Sequence, residues 1–100
     1  MKGRNPNKLE KQWMDSICQL GCIVCRLHLD CETPAEVHHI DGKTKPEAHL
    51  KTIPLCFHHH REGVNNDTYV SRHPYKAEFV KRYGTEEELL QRVKEVLNAV

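Results

Sequence analysis

At 100 residues the chain is long enough for one small domain and too short to bury a large core. A mean hydropathy of −0.70 and 6% aromatic residues limit that core further, so a metal or disulfide staple is expected. The net charge of +1 does not by itself mark a nucleic-acid binder, and no apolar run approaches the roughly 18 residues that a membrane span needs.

"MKGRNPNKLEKQ" has no apolar stretch of the kind that carries a secretory signal. A reducing cytoplasm is therefore expected, where close Cys and His read as metal ligands before disulfides. Residues 1–7, with Gly3 and Pro6, read as a flexible basic arm. Leu9, Trp13, Ile17 and Leu20 recur at helical spacing and predict a core-facing helix over 8–20, ended by Gly21. "CIVC" reads as a tight knuckle, followed by an irregular connection closed at Pro34. Val37 and Ile40 suggest a short strand over 35–40, and "DGKTKPEAH" a loop with an Asp-Gly turn. "LKTIPL" predicts a second strand over 50–55, with Pro54 at an edge or an end. A short helix is expected from Cys56 to Gly63, then a polar loop, then a helix opened by Pro74 and stopped by Gly84. Thr85 and Glu88 form a capping box for a last helix to about Asn98. Lys2, Arg4, Lys8 and Lys11, and again Lys43, Lys45 and Lys51, could meet phosphates; the same charges also fit an ordinary solvated surface.

The chain carries five cysteines and eight histidines. Cys22 and Cys25 make one Cys-x2-Cys pair, and Cys56 and His59 make a Cys-x2-His pair. Two such pairs suit a tetrahedral structural zinc, because each short turn aims both side chains at one point. The competing reading is four buried small residues without metal. His60, four residues after Cys56, lies on the same helix face as His59; the x2 spacing favours His59. Cys18 and Cys31 read as spare thiols, and His58 as solvent-facing. "VHHI" sets His38 and His39 side by side on a strand, where neighbours face opposite ways, so they cannot share one job. Asp41, just after this motif, is taken as its nearby acid and reads as a turn residue. With so few carboxylates, a one-metal histidine site is expected rather than a two-metal site.

The run "CIVC…VHHIDG…TIPLCFHHH", over residues 22–60, resembles the HNH or ββα-metal endonuclease pattern. The segments "KGRNPNKLEKQWMD", "GCIVC", "PAEVHHIDGK", "HLKTIPLCFHHHREG" and "YGTEEELL" together resemble the phage recombination-enhancement (Ref) type of RecA-dependent nuclease, over nearly all of the chain. The resemblance implies an α+β fold: a small zinc-stapled ββα-metal, treble-clef-like core with flanking N- and C-terminal helices, one nuclease domain over 8–100. It implies a metal-dependent DNA endonuclease of phage recombination, in bacterial host cytoplasm, with the RecA filament as partner. Carried over by position, His39 becomes the general base and His38 a ligand of a catalytic divalent metal (Mg2+, Mn2+ or Zn2+). His60 becomes the helix-borne ligand. The pattern's usual Asn is missing before "LC", and His49 takes its orienting place at a non-standard offset. Position 64 is Val, so no second histidine follows His60 by one turn, and His73 in "SRHP" becomes the replacement ligand. An imidazole suits a general base because its ordinary pKa lies near neutrality. The alternative function is a non-catalytic zinc module that binds nucleic acid or protein, and the "VHHI" pair argues against it.

Overall fold

The computed structural model describes residues 5–42 and 45–98. Residues 1–4 of the expected arm, Lys43 and Thr44 of the turn, and Ala99 and Val100 at the C-terminus lie outside them. Helix α1 spans Lys8–Leu20 and starts at Asn7, whose side chain accepts from the Glu10 amide while the Glu10 carboxylate accepts from the Asn7 amide. Gly21 ends it at φ +85°, and a Cβ there would stand 3.1 Å from the Thr33 carbonyl oxygen. That close approach lets the Cys22 amide bond the same oxygen at 2.9 Å, which fixes the entrance to the knuckle. The knuckle does not end at Cys25. It continues as one π-helical turn, Cys25–Leu29, closed by Asp30 in the left-handed region.

Strands β1 (Glu36–His39) and β2 (Thr52–Leu55) pair antiparallel, with Glu36 opposite Leu55, Val37 opposite Pro54, His38 opposite Ile53 and His39 opposite Thr52. Each is two residues shorter than the strand expected from the sequence. Helix α2 (Phe57–His60) follows directly, with Cys56 as its N-cap. Helix α3 (Lys76–Tyr83) does not open at Pro74; Tyr75 is its N-cap, because the preceding loop is bound to α2. Helix α4 (Glu86–Asn98) starts at the expected capping box: the Glu88 carboxylate accepts from the Thr85 amide at 2.9 Å, and the Thr85 hydroxyl accepts from the Glu88 amide at 3.1 Å.

The result is a small α+β arrangement. Helix α1 packs on both strands, α2 on both, and α4 on β2. Ile17, Ile23, Val24, Ile53, Leu55, Phe79, Leu89 and Val93 form the buried centre. The apolar stripe of α1 is covered only in part: Leu9 is 72% exposed, Trp13 is half-buried with its indole N–H donating to Thr52 Oγ1, and Ile17 is buried. Leu9 was expected in the core. Among the described residues the sheet has two short strands, and the side chain that bonds it from α1 is Trp13, one turn after Leu9. Among the described residues, no helix is long and apolar enough to cross a membrane.

Candidate metal centres

Cys22 and Cys25 sit on the knuckle, and Cys56 and His59 sit one turn apart at the start of α2. All four are buried. His59 Nδ1 lies 3.6 Å from Cys22 Sγ, 3.5 Å from Cys25 Sγ and 3.2 Å from Cys56 Sγ, and Cys25 Sγ is 3.7 Å from Cys56 Sγ. Metal bonds of about 2.3 Å to sulfur and about 2.0–2.1 Å to nitrogen give tetrahedral edges of about 3.5–3.8 Å. The four donor atoms therefore stand close to where the vertices of a metal tetrahedron would be, and the group could hold a structural metal ion. The Cys25 amide also donates to Cys22 Sγ at 3.5 Å, an interaction that favours a thiolate.

Electrostatics point the same way. Crowded thiols cannot all ionise unaided. Cys22 is pushed up by its hydrogen bond to Cys56 and by burial, and burial pushes Cys25 up to about 11. Cys56 alone is held down to about 3, first by the hydrogen bond from Cys22. A cation among them replaces the protons and lets all three act as thiolates.

The second cluster grows from period-two alternation along β1. Glu36 and His38 share one face, and His39 takes the other. His38 meets His60 from α2 and His73 from the following loop. Their ring centroids form a near-equilateral triangle, with sides of 5.1, 5.3 and 5.3 Å, and one nitrogen from each ring lies within 4.8 Å of the others. Burial lowers the pKa of His60, with His38 adding to the shift and Glu36 opposing it. Burial and then Arg72 lower that of His73. Both shifts favour the neutral ring, the state a metal ligand must have. Three imidazoles suit a borderline divalent ion and leave coordination positions open.

His73 reaches the cluster because its loop is tied to α2. The amides of Arg72 and His73 donate to the carbonyls of His59 and His60 at 2.8 and 2.9 Å. The buried Ser71 hydroxyl donates to the His58 carbonyl at 2.6 Å and accepts from the Gly63 and Val64 amides at 3.0 and 3.1 Å. Ser71→Ala removes one donor and leaves two amides without that acceptor. It should lower stability by about 1–3 kcal/mol, read as a lower denaturant midpoint at unchanged m-value.

On the other face, His39 Nε2 lies 3.0 Å from Nδ1 of the buried His49. Thr52, opposite His39, donates to the His49 carbonyl at 3.2 Å and ties this pair to α1 through Trp13. His58 is half-buried at the surface, bonded to Glu62 at 2.6 Å and stacked on Tyr69.

Sequence proximity singled out Asp41 as the one nearby acid, and the fold corrects this. Glu86 accepts from His38 Nε2 at 2.9 Å, and Glu36 accepts from His60 Nδ1 at 2.8 Å. Glu86 comes from α4, 48 positions away, and reads in sequence as one of three helix-starting acids. Glu36 sits beside the motif but reads only as a strand residue. Arg61 clamps Glu36 through Nε and Nη2 at 2.7–3.1 Å. Its guanidinium holds the Glu36 carboxyl down to about 2.

Residues 6–98 match the model of a family described as recombination enhancement, RecA-dependent nuclease. The match spans α1, both strands, the loop that carries His73 and α4, so it includes both clusters that could hold a metal ion. A nuclease role in recombination follows, with DNA as substrate and a connection to RecA. The chain belongs to the RecA-dependent nuclease family of recombination enhancement.

Proposed function

We propose that the chain is an HNH-type, metal-dependent endonuclease that hydrolyses DNA phosphodiester bonds within RecA filaments, with structural zinc at Cys22, Cys25, Cys56 and His59. One observation carries the reading: β1 ends by sending His38 into a triangle of imidazoles and His39 to the opposite face, against His49. In-line hydrolysis sets the attacking water and the departing 3′ oxygen on opposite sides of phosphorus. A base and a cation are then wanted on opposite sides of the phosphate, and adjacent residues at a strand end can meet that demand.

His38, His60 and His73 hold the divalent cation. When bound, it supplies positive charge to a nonbridging phosphate oxygen and to the leaving oxygen. His39 is the general base. It donates Nε2–H to His49 Nδ1, and its own Nδ1 takes a proton from the attacking water. His49 fixes the ring and its tautomer, the role an Asn has in the usual pattern. General-base help of this kind is worth about 10²- to 10⁴-fold in rate.

The test is a nicking assay on single-stranded and duplex DNA, with and without RecA, ATP and a divalent cation. Cleavage that requires both the cation and the RecA filament is expected. Equal cleavage in chelator contradicts the metal-dependent reading, and equal cleavage without RecA contradicts the filament as substrate.

A further inference from the structure

Each of two histidines in the triangle is backed by a carboxylate, and each carboxylate by an arginine. Glu86 Oε2 bonds His38 Nε2 at 2.9 Å, while Glu86 Oε1 takes the Arg72 guanidinium. Glu36 Oε1 bonds His60 Nδ1 at 2.8 Å, while Glu36 Oε2 takes Arg61 at 2.7 Å. The two chains come from different elements: Glu86 from α4 and Arg72 from the loop, Glu36 from β1 and Arg61 from the end of α2. An ionised carboxylate only accepts, so the facing ring nitrogen must carry the hydrogen. In the neutral ring the other nitrogen then keeps its lone pair.

We propose that Glu86 and Glu36 are positioning residues that fix the tautomers of His38 and His60, so that His38 presents Nδ1 and His60 presents Nε2 to a divalent cation. The proposal rests on reading the three-histidine cluster as a cation site. It goes beyond that reading in naming the ligating atoms and the groups that select them. Carboxylates that hold a ligand's second nitrogen raise its basicity and lock its orientation, and losing one typically costs about 10- to 100-fold in metal affinity or activity. His73 has no such carboxylate contact among the described residues; its Nδ1 lies 3.5 Å from Arg72 Nη1. It is therefore the loosest of the three ligands.

The tautomers are read directly by nitrogen NMR of histidine-labelled protein, loaded with zinc at the cysteine site and without added divalent cation. The expected spectrum shows His38 protonated at Nε2 and His60 at Nδ1. The opposite tautomers overturn the proposal. Binding of Co2+ to the zinc-loaded protein is the second measurement. Glu86→Gln and Glu36→Gln should each weaken it about 10- to 100-fold, with the d–d band shape at saturation unchanged and one zinc per chain retained as the check on folding. Glu36 is partly exposed, so its variant keeps the test available if Glu86→Gln misfolds. Wild-type affinity in both variants overturns the positioning role while leaving the cation site intact. A changed band shape makes the carboxylate a direct ligand and overturns it too. Absence of Co2+ binding to the wild type sinks both the proposal and the cation-site reading.

Discussion

Replacing Cys22 with alanine is expected to leave the chain without a cooperative fold at room temperature. The four-residue site joins the knuckle after α1 to the start of α2, two segments that among the described residues have no strand pairing with each other. Binding of a structural zinc is worth about 10–16 kcal/mol in small zinc domains. A domain's whole stability is about 5–15 kcal/mol. The metal contribution is thus as large as the total margin, and losing one of four ligands removes a large share of it. The hydrophobic centre is too modest to compensate: Phe79 and Tyr83 are its buried aromatics, with Ile, Leu and Val side chains around a two-stranded sheet. Far-UV circular dichroism and metal analysis read the outcome. A cooperative transition at the wild-type midpoint, with no metal bound, would show that the cysteines act only as small core residues.

His39→Ala should behave in the opposite way. The fold and both metal sites are expected to survive while DNA cleavage falls by about 10²- to 10⁴-fold. His39 is half-buried at the end of β1, and it belongs to neither metal-ligating cluster. The structural cost includes its hydrogen bond with His49, worth about 1 kcal/mol. That loss is small beside a catalytic deficit equivalent to about 3–5 kcal/mol of barrier. His49→Ala should lower the rate less, because it acts through His39. Single-turnover cleavage at saturating divalent cation separates these effects from binding. A His39→Ala enzyme that cuts at the wild-type rate removes His39 from the chemistry.

Much of the scaffold was legible because its signals are local. The Cys-x2-Cys and Cys-x2-His spacings single out the four residues that the fold brings together, since a chelate needs both donors within one turn. The Thr85–Glu88 box marks the start of α4 for the same reason. The choice between His59 and His60 was not settled by spacing, as both lie on the face that Cys56 begins. Tertiary contact settles their placement: the knuckle sulfurs approach His59, and β1 approaches His60 through Glu36. Long-range partners were invisible. Glu86 looked like a helix-starting acid and Ser71 like an ordinary loop residue, yet one holds His38 and the other ties down the loop that delivers His73. Leu9 shows the converse error: helical spacing marks a face, but only the available sheet decides how much of it is covered.

The most direct test of the central claim is the rate of DNA cleavage in RecA filaments as divalent cation is titrated, for zinc-loaded wild type and His38→Ala at equal zinc content. The wild type should show a saturable rise with cation, and His38→Ala should show none over the same range. Equal cleavage by the two proteins at every cation concentration would contradict the assignment of the His38, His60 and His73 cluster as the catalytic metal site.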